Sequence, residues 1–174
     1  IGDSSSDVCS SDLTVKELVD EAKRTPAKLN FSTSGNGSVP HLATMISSGL
    51  TGAEMVHVPY KSGGAAVASV VAGDTDLTFA TAPSVMPQVN AGRLRGIAVT
   101  TRAKSPLVPS LPGMEESGLK GYDVSIWYGF FLPAGTPRPV VMKLFDSTVK
   151  ALQDQKFQEL MAKDGTETPA SKSP

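Results

Sequence analysis

From residue 14 to residue 100 the chain alternates amphipathic runs with short apolar ones. Val15, Leu18, Val19 and Ala22 recur at helical spacing. Thr14 and Glu17 form a capping-box pattern ahead of them and Pro26 stops the run, which predicts a helix over 14–23. The pattern then predicts a strand over 29–32 and a helix over 40–48, with His41, Leu42, Met45 and Ile46 at mixed helical spacing and Gly49 and Gly52 ending it. A strand over 55–58, a small apolar helix over 65–72 closed by Gly73, and a strand over 77–80 follow. Thr81 can cap the next helix, with Pro83 near its start, Pro87 in its first turn or kinking it, and Gly92 past its end. The stretch GIAVT, 96–100, reads as a fourth strand.

Short apolar strands joined by helical crossovers predict an α/β fold whose sheet is largely parallel and covered on both faces. Ligands of such sheets bind beyond the carboxyl ends of the strands. That rule puts three loops on one rim: FSTSGNGS, PYKSGG and TAPS. Residues 101–121 are rich in Pro, Gly and Ser and read as a connection between lobes. Residues 122–132, holding Trp127, Tyr128, Phe130 and Phe131, read as an extended strand region. Pro137 opens a long amphipathic helix with Val140, Val141, Leu144, Phe145, Val149 and Leu152 on its apolar stripe. A last helix over 156–163 is expected to bury Phe157, Leu160 and Met161.

The segment from Phe31 to His41, FSTSGNGSVPH, runs from a strand through a Ser/Gly/Asn loop into a helix start with Pro40 at its first position. That arrangement aims backbone N–H groups and small hydroxyls at one point, and suits a carboxylate or a phosphate. Ser38 reads equally as the N-cap of the helix, since capping and anion binding share one geometry. Tyr60 and Lys61 follow a strand and offer a phenol and an ammonium to an anion, or simply a half-buried ring and a solvated charge. No catalytic apparatus accompanies the loop: a G-x-S-x-G elbow and a Walker pattern are both absent. Of the two histidines, His41 reads first as a packing or capping residue beneath the loop, and His57 as facing a covering helix. Their separation matches no metal motif.

With 40% hydrophobic residues the chain can build a core, and a net charge of -1 gives no footprint for nucleic acid. Residues 1–12, IGDSSSDVCSSD, are Ser/Asp-rich and hold the single cysteine, Cys9. They read as a non-native or disordered segment. Past them there is no thiol for a disulfide framework or a thiolate metal site. The ending GTETPASKSP has no closing element, and the two ends together read as those of a piece of a longer protein.

The stretches KLNFSTSGNGSVPHL, VHVPYKSGGAA, VAGDTDLTF, AGRLRGIAVT and FLPAGTPRPVV occur in this order. Together they resemble the solute-binding proteins of tripartite tricarboxylate transporters, the Bug family, over about residues 14–174. The resemblance implies a periplasmic-binding-protein-like fold of type II, with one complete lobe plus part of the other: lobe two over 13–103, and over 104–174 the connection with the C-terminal part of lobe one. It implies a periplasmic, non-enzymatic subunit without cofactor or metal, monomeric at full length. Such a subunit closes on a small di-, tri- or aromatic carboxylate and delivers it to membrane permease subunits. Carried over by position, the ligand-facing residues are Ser34, Gly35, Gly37 and Ser38 on the first loop and Pro59, Tyr60 and Lys61 on the second; Asn36, His41 and Thr81 beside them complete the expected ligand-binding set. Many members have an acidic residue where this chain has Ala80 and Thr81, which implies a ligand without an ammonium group. Members usually read Pro-Thr where Pro112-Gly113 stands here. An α/β enzyme or a ligand-sensing module using the same loop is the alternative reading.

Overall fold

A computed structural model describes residues 13–163 and 165–174; the serine-rich segment 1–12 lies outside the described residues. Residues up to Ser125 make one compact unit and Ile126–Pro174 another. The first unit begins with α1 (Val15–Arg24), whose capping box forms as the sequence predicts. The Thr14 hydroxyl accepts from the Glu17 amide at 3.3 Å, and the Glu17 carboxylate accepts from the Thr14 amide at 2.7 Å. These bonds hold the Glu17 carboxyl below its usual range. Then come β1 (Asn30–Thr33), α2 (Val39–Thr51), β2 (Val56–Pro59), α3 (Gly63–Ala72), β3 (Leu77–Thr78) and α4 (Ala82–Asn90).

The three strands are parallel in the order β2-β1-β3, with Phe31 opposite His57 and Ser32 opposite Thr78. Central β1 buries Phe31, Ser32 and Thr33. Its two hydroxyls survive burial because each is bonded: Ser32 Oγ donates to the Ala66 carbonyl at 2.9 Å, and Thr33 Oγ1 lies 2.6 Å from His57 Nε2. At the opposite end of the sheet Asp76 Oδ2 accepts from the Asn30 amide at 2.7 Å, so this acid is structural.

α2 runs further than its glycines suggest. Gly49 lies within it, and Gly52, with φ of 71°, closes it in the left-handed conformation that a side chain resists. Its packing also inverts the hydrophobic pattern. Ala43, Thr44 and Ser47 face inward, while Leu42, Met45, Ile46 and Leu50 stay exposed. The reason is close approach: the fully buried Tyr122 donates its hydroxyl to the Ala43 carbonyl at 3.1 Å, which only a small side chain on that face permits. Burial pushes the Tyr122 phenol well above its ordinary pKa.

Two expected strands do not form. Residues 96–100 contribute only an isolated parallel bridge, Val99 to Gly113. Their backbone bonds are divided, Val99 donating to Pro112 at 2.9 Å and Thr100 accepting from Val124 at 2.9 Å, so no continuous ladder develops. Gly113 is required here: an added Cβ would meet the Arg102 carbonyl oxygen at 2.4 Å. Residues 104–125 belong to the first unit, where Met114, Leu119 and Tyr122 join Val15 in one core cluster. A second cluster gathers Ala22, Leu29 and Ala53.

In the second unit residues 126–132 form no strand with any described segment. Trp127, Tyr128, Phe130 and Phe131 are each at least 76% exposed. Pro137 precedes α5 (Arg138–Leu152), and α6 (Gln155–Lys163) follows. Both helices form, but neither buries a residue, and Phe157 and Leu160 stand exposed where burial was expected. No described helix is long and apolar enough to cross a membrane.

Because the Ala43 carbonyl keeps its place in the α2 ladder, Tyr122→Phe should cost about 1 kcal/mol, the net worth of one hydrogen bond. Tyr122→Ala should cost about 3–5 kcal/mol through the cavity it leaves. Urea denaturation midpoints of the two variants check the difference.

Candidate functional site

In a sheet ordered β2-β1-β3 the chain leaves the central strand to one side and returns on the other. The crevice at the carboxyl ends of β1 and β3 is the switch point where such sheets hold ligands. Three loops reach that edge, and each runs into a helix N-terminus: Ser34–Ser38 into α2, Tyr60–Ser62 into α3, and Phe79–Thr81 into α4. They converge as the sequence predicts. An added Cβ at Gly35 would lie 3.6 Å from the Tyr60 carbonyl oxygen, and one at Gly63 would lie 3.8 Å from Ser84 Oγ.

The first loop does not aim all of its amides outward. Gly35 N–H donates to Thr33 Oγ1 at 3.2 Å, Gly37 N–H to His41 Nδ1 at 3.2 Å, Ser38 N–H to the Gly35 carbonyl at 3.3 Å, and His41 N–H to Ser38 Oγ at 3.4 Å. Ser38 Oγ in turn donates to the Gly35 carbonyl at 2.7 Å, so the N-cap reading of Ser38 holds in the structure. Among the described residues, the amides of Ser34, Asn36 and Val39 have no hydrogen-bond partner, nor has the Ser34 hydroxyl. Those donors, with the positive end of the thirteen-residue α2, are what an anion would meet.

The second loop adds a cap that sequence reasoning passed over. Ser62 Oγ accepts from the Ala65 amide at 3.2 Å, leaving the amides of Gly63 and Gly64 free at the start of α3. A serine just ahead of a small-residue helix was the available signal. Pro59 ends β2 and is exposed, Tyr60 is half-buried, and Lys61 is exposed with no ion pair among the described residues. On the third loop Thr81 is the N-cap residue of α4 but makes no side-chain capping bond. Its Oγ1 lies 2.9 Å from Ser84 Oγ, which itself donates to the Thr81 carbonyl at 2.8 Å. Thr81 therefore spends its proton on Ser84.

Under the first loop three rings stack. His41 lies over His57 with centroids 4.2 Å apart, and His57 over Phe31 at 4.8 Å. His57 thus faces the covering helix and His41 packs beneath the loop. Neither histidine is paired with a serine as base with nucleophile: His41 Nδ1 accepts an amide and His57 Nε2 meets Thr33. No group of three described His, Cys, Asp or Glu residues is placed to hold a metal ion.

Burial first, and then the neighbouring His41, lower the pKa of His57 below its ordinary value near 6.5. A folded-state pKa below the unfolded one means that the unfolded chain binds the proton more readily, so stability is full above that value and is lost as pH falls through and below it. Acidification from about pH 7.5 to about pH 5.5 should lower the melting temperature, and His57→Phe should flatten that decline. Thermal denaturation across this range, above the region where Glu17 and Glu21 titrate, checks it.

The family model described as the tripartite tricarboxylate transporter family receptor, TctC, matches residues 8–173. A UPF0065 protein of a Pseudomonas strain is 34% identical over 155 residues, covering 88% of this chain and 46% of the relative. An R. palustris protein solved with adipate superposes with a TM-score of 0.87 at 29% identity, covering 94% of this chain and 55% of that one. The periplasmic binding protein BugD superposes with a TM-score of 0.82 at 34% identity, covering 91% and 53%. The chain thus spans about half the length of the proteins it matches. The fold is the α/β fold of periplasmic binding proteins, of which the chain supplies one lobe and part of another. The chain belongs to the TctC family of tripartite tricarboxylate transporter receptors.

Proposed function

We propose that this chain carries the carboxylate-binding face of a periplasmic solute receptor, which captures a small dicarboxylate and hands it to membrane permease subunits. The observation that carries this reading is the meeting of three helix starts at the sheet's switch point with unpartnered amides at Ser34, Asn36, Val39, Gly63 and Gly64. Amides at helix N-termini hold a carboxylate without a buried counter-ion. Lys61 and the Tyr60 hydroxyl supply charge and a donor at the rim. The adipate held by the R. palustris relative is a ligand of this class. No acidic side chain lies on the three loops to receive an ammonium group, which favours a plain carboxylate over an amino acid. Closure of one lobe on the other would present the loaded form to the permease, a population shift driven by the ligand's preference for the closed state. An enzyme reading gains nothing from the geometry, because the histidines nearest the loop serine hydroxyls are engaged elsewhere.

Ser38→Asp tests the site. Aspartate caps helices as well as serine does, so α2 should persist. Its charge meets an incoming carboxylate with a repulsion of about 4 kcal/mol at 4 Å near a protein surface. Calorimetric titration of adipate should show binding to the native chain and none to the variant, with equal helical content by circular dichroism. Equal affinity in both would remove the loop from the site.

A further inference from the structure

The His41–His57 stack does more than fill space, because each ring holds an atom on which the shape of the first loop depends. Gly37 N–H donates to His41 Nδ1 at 3.2 Å. A ring nitrogen that accepts carries no proton, so His41 in this loop conformation is neutral, with its proton on Nε2. His57 Nε2 lies 2.6 Å from Thr33 Oγ1, and the same hydroxyl accepts the Gly35 amide at 3.2 Å. The two rings thus fasten Gly35 and Gly37, the two residues of the loop with positive φ, 124° and 72°.

Protonation breaks this arrangement. A proton on His41 Nδ1 faces the Gly37 N–H donor with a second donor. If both rings are charged, two cations lie 4.2 Å apart. The nearest charged residues along the chain on either side of β2 are Glu54 before it and Lys61 after it. The Ser34–Ser38 loop, β1, α2 and β2 carry no ionisable side chain besides these two histidines, and the next groups along the chain after β2 are Tyr60 and Lys61. Phe31, the third ring of the stack, is apolar and buried.

We propose that His41 and His57 are positioning residues that clamp the Ser34–Ser38 loop in its carboxylate-holding form, and that protonation of the stack releases the loop and weakens capture as pH falls. The inference rests on the loop being the carboxylate site. Desolvation of His57 acts in the same direction, since it disfavours the charged ring. A histidine serving instead as a charge donor to the ligand would give the opposite sign, with tighter binding at low pH.

The test uses adipate with the native chain, His41→Asn and His41→Phe, at about pH 7.5 and about pH 5.5. Asparagine places Oδ1 where Nδ1 stood and accepts the Gly37 amide at either pH. It also provides the baseline for any protonation of adipate itself. Acidification should weaken native binding about fivefold more than it weakens binding to His41→Asn, the worth of one net hydrogen bond. His41→Phe, which keeps a ring on His57 but accepts nothing, should bind weakly at both. In the ligand-free chain the Gly37 amide resonance should move between the two pH values, and in His41→Asn it should stay still. The same pH dependence in the native chain and His41→Asn, or a Gly37 resonance indifferent to His41, overturns the proposal. A Gly37 resonance that follows His41 while adipate fails to bind at either pH removes the carboxylate reading and leaves the clamp standing.

Discussion

Thr33 closes the central strand at the one point where every part of the site meets. It is fully buried, its carbonyl accepts the Tyr60 amide at 2.9 Å, and its hydroxyl is shared among Gly35 and His57. One residue thereby fixes the departure of the first loop, the departure of the second, and the ring that supports both. A buried hydroxyl is costly unless bonded, so the network holds as a set or not at all. The parallel pairing of β1 on both sides leads to the same point. It forces the carboxyl ends of β1, β2 and β3 onto one edge, and the helices that follow must begin there.

The loop makes sense as a consequence of that constraint. A glycine-rich segment free in solution would lose much conformational entropy on ordering around a ligand. Here four of its donors are already committed inward, to Thr33, His41, Gly35 and Ser38. The amides that remain free are held in place before any ligand arrives, and preorganisation of that kind spares the ordering cost at binding. Gly35 suits its place through its backbone rather than its size: its φ of 124° is one that residues with a side chain rarely adopt.

Much of this was legible in the chain. Thr14 with Glu17, Ser38 ahead of Pro40, and Gly52 and Gly73 behind their helices are local signals, read from neighbours a few residues apart, and each forms in the structure. The three-loop rim was legible too, because parallel topology alone demands it. What failed to show were features set by distant partners. GIAVT has strand composition but divides its hydrogen bonds between Pro112 and Val124. The exposed stripe of α2, Leu42, Met45, Ile46 and Leu50, has the composition of an inner face, yet Tyr122, about eighty residues on, requires small residues inward. The direction of each loop amide was hidden for the same reason, since it depends on Thr33 and on rings that only the fold brings near.

Those distant partners also explain how the anion site proposed here can be built with almost no charge. The three loops carry Lys61 as their single formal cation, and it is exposed at the rim where solvent screens it. Attraction inside the crevice must then come from oriented dipoles, and dipoles act only while their orientation is held. The structure holds them with a threonine hydroxyl, two imidazole rings and a serine cap. Replacing any of these with a charged side chain would add attraction or repulsion but would loosen the geometry that aims the amides. A site of this kind is selective through shape and the number of donors it presents, and the proton sensitivity proposed for it enters through the scaffold beneath the loop.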